Sequence, residues 1–170
     1  GSIYKKSGVS GSIVLGAQND GTARNMYGVA ALRTSGAGSS IFATEIGTDV
    51  QSIMYQANAS AYVRSTFAYP GGGELEELQL RVQYDDGFVA YLNGTEVARR
   101  NAPGSAGVAP AYDATATATR PDNIAVVHEE IDLTPFGNLL FSDSPNVLAI
   151  HALNESATDT DFLIGVELSA

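Results

Sequence analysis

The sequence contains no cysteine and no tryptophan, and it has only 2 methionines in 170 residues. Without cysteine the chain forms no disulfide, no zinc–thiolate site and no cysteine nucleophile. Basic residues are also few, since 9 Lys and Arg stand against 19 Asp and Glu, a formal net charge of -10. A surface of that sign repels a phosphate backbone and anionic lipid, so neither nucleic acid nor a membrane is expected as a partner.

Long hydrophobic runs are missing as well. One of the longest, Ile124–Val127, is far too short to span a bilayer. We expect any secretion signal to have been removed, and we interpret Gly1-Ser2 as the remnant of an expression tag. The remaining length suits one domain, 1–170, which would bury roughly 70% of its unfolded surface.

The residues that are present are typical of a β protein. Hydrophobic residues make up 44%, charged residues 16%, and 18 glycines interrupt the chain. Asp85-Asp86-Gly87 and Asn93-Gly94 predict two tight turns, because Asn, Asp and Gly adopt positive φ at low cost. These turns join three strands into an antiparallel meander. The capping spacing of Thr48 and Gln51 predicts one short helix, Asp49–Gln56.

Strand positions follow from the alternation of apolar and polar residues. Tyr62, Arg64 and Thr66 alternate with Val63 and Phe67, so the last two are expected on a buried face. Strands are predicted at 12–17, 26–34, 61–68, 78–84, 88–92, 95–100, 124–133, 146–153 and 161–168. About ten elements, nearly all of them strands, predict an all-β fold, an antiparallel β-sandwich.

Several of these segments resemble a known family. Leu92-Asn93-Gly94, which turns a hairpin, and Asn146-Val147-Leu148-Ala149, which begins a core strand, are similar to motifs of galactose-binding-domain-like jelly rolls. Such domains occur as accessory modules of large secreted bacterial proteins and in family 2 glycoside hydrolases. Gly47-Thr48-Asp49-Val50 resembles modules that lie beside lamin-tail and CotH-type domains. The resemblance covers residues 41–168 and implies a secreted or cell-surface jelly roll with covalently linked neighbouring domains, but it does not identify a ligand.

No catalytic site is predicted, and the protein is expected not to be an enzyme. His128 and His151 lie in predicted strands without metal-ligand spacing, which favours structural or surface roles. Asp85 and Asp86 have the composition of an acid–base pair, yet Gly87 after them favours a turn that the aspartates cap.

The segment 101–123 is the first candidate for a binding site. It is long and rich in Ala, Thr, Gly and Pro, and loops of this length in compact domains are commonly functional. Sugar recognition needs an aromatic face for the pyranose ring and planar polar groups for its hydroxyls. Tyr112 is the only aromatic in the loop. The candidate carbohydrate-binding residues are Tyr112, Asp113, Arg99, Arg100 and Arg120.

The same loop has a second interpretation, in which Tyr112 only pins a mobile segment to the sheet. The absence of tryptophan, the largest stacking ring, also weakens the prediction of carbohydrate binding. If the loop does not bind a ligand, the loops around Asn19–Arg24 are the next candidate site.

Oxygen-bearing side chains cluster before the last predicted strand. Ca²⁺ takes roughly six to eight oxygen ligands, and Asp159 and Asp161 are the predicted metal ligands. The segment lacks the glycine and the final Glu of an EF-hand loop. Ordinary acidic turn residues are the alternative interpretation.

Two functions remain open from the sequence. The first is a non-catalytic, monomeric carbohydrate-binding module that targets a secreted bacterial enzyme or surface protein to a polysaccharide or oligosaccharide. The second is a structural or adhesive spacer domain of a large surface protein, in which the long loop contacts protein. Binding to a panel of polysaccharides distinguishes the two.

Overall fold

Eight strands and two one-turn α-helices make up most of the regular structure. The computed structural model describes residues 26–32, 41–69, 71 and 74–170. The predicted strand at 12–17 and the loops around 19–24 lie outside the described residues. The strands are β1 Met26–Leu32, β2 Ser60–Phe67, β3 Gln79–Asp85, β4 Gly87–Leu92, β5 Thr95–Arg100, β6 Glu129–Asp132, β7 Asn146–Leu153 and β8 Phe162–Ser169.

The strands form two four-stranded sheets. The first sheet has the order β1-β8-β3-β6, and the second has the order β2-β7-β4-β5. Every neighbouring pair is antiparallel. The prediction of an all-β sandwich is therefore confirmed.

One hydrophobic core lies between the two sheets. In β2, Ala61 and Val63 are buried in this core, as the alternation predicts, and Tyr62 and Arg64 point to the opposite face. The first sheet contributes residues such as Leu80, Val82, Phe162, Ile164 and Val166, and the second contributes Phe88, Ala90, Leu148 and Ile150. No helix in the described residues is long and apolar enough to cross a membrane.

The predicted meander is only half correct. β4 and β5 form the expected hairpin, with Asn93 at φ 51° and Gly94 at φ 86°. β3 and β4, however, belong to different sheets, so Asp85-Asp86-Gly87 is not a hairpin turn. The Asp86 side chain makes contacts that a hairpin turn would not provide. Its carboxylate accepts hydrogen bonds from the backbone N–H groups of Arg120 and Glu155, at 2.8 and 2.9 Å. These donors come from other loops and hold the chain where it crosses between sheets.

The helices differ from the prediction in length and number. α1 spans only Gln51–Met54, and Asp49 accepts the hydrogen bond of the Gln51 N–H, at 2.9 Å, in place of the predicted Thr48 cap. A second turn, α2 at Asp122–Ala125, replaces the first part of the strand predicted over 124–133. Ala125 is buried there beside Phe42 and Leu163 in a small second cluster. Only Ala125 and Val126 of the apolar run pack on this cluster, while Ile124 and Val127 are exposed, and β6 begins only at Glu129.

Two 3-10 helices complete the described elements. One spans Ile41–Thr44, and its Phe42 side chain is fully buried. The other spans Thr134–Leu139.

Candidate functional site

The second sheet has one face on the core and one face turned away from it, which we call the outer face. The register of β2, β7 and β4 places its side chains in rows. Tyr62 lies opposite His151, and His151 lies opposite Val89. The next row contains Arg64, Ala149 and Tyr91.

The long loop lies across one end of the outer face, held by its backbone. Ser60 Oγ donates to the carbonyl oxygen of Tyr112 at 2.6 Å, and the His151 imidazole hydrogen-bonds to the Tyr112 backbone. Arg99 donates to the carbonyl oxygens of Pro103 and Val108, at 2.6 and 2.7 Å. The Tyr112 segment is thus fixed to the sheet through main-chain groups.

These contacts leave the Tyr112 ring open to solvent. Its side chain is 62% exposed, whereas Val89 in the middle of the sheet is fully buried. The interpretation in which the Tyr112 ring pins the loop does not fit this geometry, because the Tyr112 carbonyl makes the pinning contacts. The ring remains available to a ligand, and Asp113 beside it is also exposed.

His151 is a structural part of this arrangement. It is 1% exposed, and its ring stacks on Tyr62 with a centroid distance of 4.2 Å. Burial lowers the pKa of His151 to about 4, so the imidazole is neutral near pH 7. The Nε2 atom is buried without a hydrogen-bond partner. This agrees with the structural role that the sequence favours.

Arg99 has its charge satisfied inside the protein. Its guanidinium makes two hydrogen bonds with the Glu96 carboxylate, Nε to Oε1 and Nη2 to Oε2, both at 2.9 Å. The hydrogen bonds from Arg99 lower the pKa of Glu96. Because Glu96 also accepts from the Gly107 N–H at 3.1 Å, this ion pair is a second anchor for the loop.

Arg100 and Arg120 converge on Tyr84 and Glu129. Arg100 Nε donates to Glu129 at 2.7 Å, and Arg120 Nη1 donates to the Tyr84 hydroxyl at 2.7 Å. The Arg120 guanidinium also lies 3.9 Å from the centroid of the Tyr84 ring. Burial, followed by the hydrogen bond to Glu129, raises the pKa of Tyr84 to about 12. Within the described residues, no contact joins either arginine to Tyr112.

Carboxylates collect where the chain crosses between the sheets. Asp85 and Asp86 are each 3% exposed. Burial, then the neighbouring charge of Asp86, raises the pKa of Asp85 far above its usual range. Burial, then a hydrogen bond with Asp159, raises the pKa of Asp161. The sequence-predicted metal ligands Asp159 and Asp161 therefore belong to a larger acidic cluster than the sequence indicates.

The metal prediction remains untested by this geometry. Among the residues that the structure describes, no group of three or more His, Cys, Asp or Glu side chains is arranged to hold a metal ion. Asn154 is committed to the protein, since its Nδ2 donates to the Asp161 carbonyl at 2.7 Å and its Oδ1 accepts from the Glu155 N–H at 2.9 Å. Ca²⁺ at Asp159 and Asp161 stays a prediction.

Sequence reasoning did not select the open part of the outer face. Tyr62, Tyr91 and Arg64 lie there, and none of them is among the candidate carbohydrate-binding residues of the sequence analysis. Tyr62 is a cross-strand partner of His151, but both tyrosines keep part of their surface in solvent. The alternation around Val63 was the available signal, and it shows that Tyr62 and Arg64 share a face without showing that the face stays open.

Comparison with known proteins leaves the family undetermined. No known family matches the chain, and no curated protein matches its sequence.

Proposed function

We infer that the sandwich is a jelly roll. Its eight strands pair in a nested order, β1 with β8, β2 with β7, β3 with β6 and β4 with β5. Pairs that join progressively closer parts of the chain, divided between two sheets, support the double-sheet jelly roll of paired Greek keys. The resemblance to galactose-binding-like modules agrees with this topology.

We propose that the protein is a non-catalytic carbohydrate-binding module. The observation that carries the proposal is Tyr112, an aromatic ring 62% exposed on a loop whose backbone is held by buried partners. Exposed aromatic rings on ordered backbone lose little conformational freedom on binding, so they make effective stacking surfaces. Arg99 supports the site by holding the loop, and its own guanidinium is occupied by Glu96.

The sugar ring stacks on Tyr112, and polar groups around the ring contact its hydroxyls. Asp113 is adjacent and exposed, so its carboxylate accepts hydrogen bonds from ligand hydroxyls. Arg100 and Arg120 contribute indirectly, since their contacts with Glu129 and Tyr84 fix the two ends of the loop. This assignment gives the sequence-predicted residues two different roles, direct contact and loop support.

A module of this type is secreted or located at the cell surface of a bacterium. It acts as a monomer that keeps covalently linked neighbouring domains on a polysaccharide. No residue in the proposal performs chemistry on the ligand.

Affinity electrophoresis against soluble polysaccharides, with a pull-down on insoluble ones, tests the proposal. For a glycan that the wild type binds, Tyr112→Ala should weaken binding by about 1 to 3 kcal/mol, as loss of a central aromatic does. The melting temperature should not change, because the Tyr112 ring packs little. Tyr55→Ala is the matched control, since Tyr55 is 36% exposed on the segment after α1.

The alternative function is a structural or adhesive spacer domain. It predicts that no polysaccharide binds and that Tyr112→Ala changes only contacts with other proteins. Absence of binding across the panel would therefore reject the carbohydrate proposal, and equal glycan affinity of wild type and Tyr112→Ala would move the site away from the loop.

A further inference from the structure

Arg64 differs from the other arginines whose side chains the structure describes. Arg81, Arg99 and Arg100 each pair with a carboxylate, and Arg120 lies over the Tyr84 ring. Arg64 is exposed on β2, and within the described part of the chain it makes no ion pair, hydrogen bond or ring contact. In a protein of net charge -10, a cation with neither a carboxylate nor an aromatic partner is an unusual feature.

The neighbours of Arg64 on the outer face are suited to a sugar ring. Arg64 lies opposite Ala149, and Ala149 lies opposite Tyr91. Since neighbouring strands are about 4.8 Å apart, the Arg64 and Tyr91 backbones are separated by about 10 Å. Because Ala149 between them carries only a methyl group, the surface between Arg64 and Tyr91 is shallow. We call the surface formed by Arg64, Ala149, Tyr91 and Tyr62 the floor. Tyr62 precedes Arg64 by two residues on the same face, at about 7 Å along β2.

The loop carrying Tyr112 bounds this floor. Ser60, which holds the Tyr112 carbonyl, is four residues before Arg64 on the same face of β2. That spacing corresponds to about 13 Å along an extended strand. A glycan stacked on Tyr112 and continuing along β2 passes Tyr62 and reaches Arg64.

The charges around this floor favour an anionic ligand. Among the described strand residues of the outer face, Glu96 is the only carboxylate, and Arg99 neutralises it at 2.9 Å. Among the strand residues of this face, the positive charge of Arg64 therefore has no competitor of opposite sign. The exposed Asp113 lies on the loop, next to the Tyr112 carbonyl that Ser60 holds about 13 Å along β2 from Arg64. The Asp85–Asp86 cluster lies where the chain crosses between sheets.

We propose that Arg64, with Tyr62 and Tyr91, selects glycans that carry an anionic group on the sugar ring. This inference rests on the proposed carbohydrate-binding function and narrows its ligand class. The planar guanidinium donates two parallel hydrogen bonds to the oxygens of a uronate carboxylate or of a sulfate ester. The tyrosine rings contact the apolar side of the same or the adjacent sugar unit.

Calorimetry with four polymers tests the inference: polygalacturonate for carboxylate, a sulfated galactan for sulfate, a neutral galactan, and polyglutamate as an anion without sugar. Wild type should bind at least one anionic glycan more tightly than the neutral one. Arg64→Gln, which keeps a polar side chain and loses the charge and the guanidinium fork, should weaken that binding about tenfold or more, as loss of a charge-assisted hydrogen bond does. Binding to the neutral galactan should change less than about twofold. Arg64→Lys should retain part of the affinity, because it keeps the charge without the planar fork.

The outcomes separate this inference from the function on which it rests. Preference for the carboxylate or the sulfate polymer identifies the anionic group. Equal binding of neutral and anionic glycans, unaffected by Arg64→Gln, overturns the inference and leaves the carbohydrate function intact. Equal binding of polyglutamate overturns it as well, since charge alone then accounts for the affinity. No binding of any glycan overturns both. Unchanged melting temperatures of the Arg64 variants confirm that they fold.

Discussion

Asn93 and Gly94 form a turn whose residue types suit its backbone conformation. Both residues adopt positive φ, 51° and 86°, and the Asn93 side chain also holds Leu139, Asn146 and Val147 by hydrogen bonds of 2.7 to 2.8 Å. A Cβ atom at Gly94 meets nothing within 4 Å. Strain at this position is therefore a matter of backbone conformation and not of space.

We predict that Gly94→Val lowers the free energy of unfolding by about 1 to 3 kcal/mol, since a β-branched residue resists positive φ. Urea denaturation measures the change. Gly94→Asn is the control and should lose much less, because asparagine tolerates this conformation. A Gly94→Val protein as stable as the wild type but defective in glycan binding would assign the turn to the ligand instead of to the fold.

The lowered pKa of His151 predicts that the free energy of unfolding depends on pH, and the substitution His151→Gln isolates this dependence. The pKa of His151 in the folded protein is about 4, below the value of about 6.5 for the unfolded chain. Because of this lowered pKa, the unfolded chain takes up the proton at a higher pH than the folded protein does as the pH falls. The contribution of neutral His151 to the free energy of unfolding is therefore fully present above pH 6.5. It is lost as the pH falls from about 6.5 to about 4, and it amounts to about 3 kcal/mol.

The measurement compares wild type with His151→Gln across this pH range by urea denaturation. Above pH 6.5 the difference in unfolding free energy between the two proteins should be constant. As the pH falls toward 4, the wild type should lose about 3 kcal/mol of stability relative to His151→Gln. Titration of Asp85 and the other carboxylates is common to both proteins and cancels in the difference. A constant difference down to pH 4 would contradict the buried, neutral imidazole.

At the scale of elements, the loop over the outer face depends on the end of β5. Glu96 and Arg99 together hold Pro103, Gly107 and Val108 through backbone groups. The sequence of the loop itself, rich in small residues, contains little apolar surface for packing on the sheet. These hydrogen bonds therefore hold the part of the loop between Pro103 and Val108.

We predict that Arg99→Ala accelerates hydrogen exchange of the Gly107 amide by about 10- to 100-fold, because loss of charge-assisted bonds worth about 1.5 to 3 kcal/mol frees the loop. The amides of β7 should keep wild-type protection. Arg64→Ala is a matched control, since the Arg64 side chain makes no hydrogen bond, ion pair or ring contact within the described part of the chain. Unchanged exchange at Gly107 in Arg99→Ala would show that the loop is held by other groups.

At the scale of the whole molecule, the acidic cluster lies where both sheets meet. Asp85 ends β3 in the first sheet, Asp86 carries the chain across, and Asp161 precedes β8. Raised pKa values at Asp85 and Asp161, caused first by burial and then by neighbouring carboxyl groups, show that ionising this cluster is unfavourable. A cation bound by the predicted ligands Asp159 and Asp161 would relieve that repulsion.

If Ca²⁺ binds there, millimolar Ca²⁺ should raise the melting temperature and EDTA should lower it. Binding only to the native state stabilises by about 2.7 kcal/mol at a hundredfold excess over Kd. Asp161→Asn should abolish the response, whereas Asp143→Asn, a change at an exposed acid in another loop, should retain it. Melting curves that respond to neither reagent would remove the calcium prediction.

Much of the fold can be predicted from short-range sequence patterns, namely the alternation of apolar and polar residues and the residues of tight turns. Strands β5 and β7 have the predicted bounds, 95–100 and 146–153, since alternation and flanking turns fix both ends. Val63 and Phe67 face the core as the pattern of β2 requires. The Asn93-Gly94 hairpin follows from two residues that tolerate positive φ. In each case the signal comes from residues that are neighbours in the sequence.

The tertiary structure decided what depends on distant partners. Asp85-Asp86-Gly87 has the composition of a hairpin turn, but hydrogen bonds from the backbones of Arg120 and Glu155 make it a crossing between sheets. The sequence does not distinguish the roles of Arg99, Arg100 and Arg120. Their roles differ because their partners differ, which are Glu96, Glu129 and Tyr84 respectively.

The amino-acid sequence alone predicts an acidic, cysteine-free β protein and the positions of most of the described strands. The choice of outer face, the exposure of the Tyr112 ring and the isolation of Arg64 came from the tertiary structure. The physical reason is that alternation assigns side chains to two faces of a strand, whereas burial of one face depends on which sheet and which loop cover it.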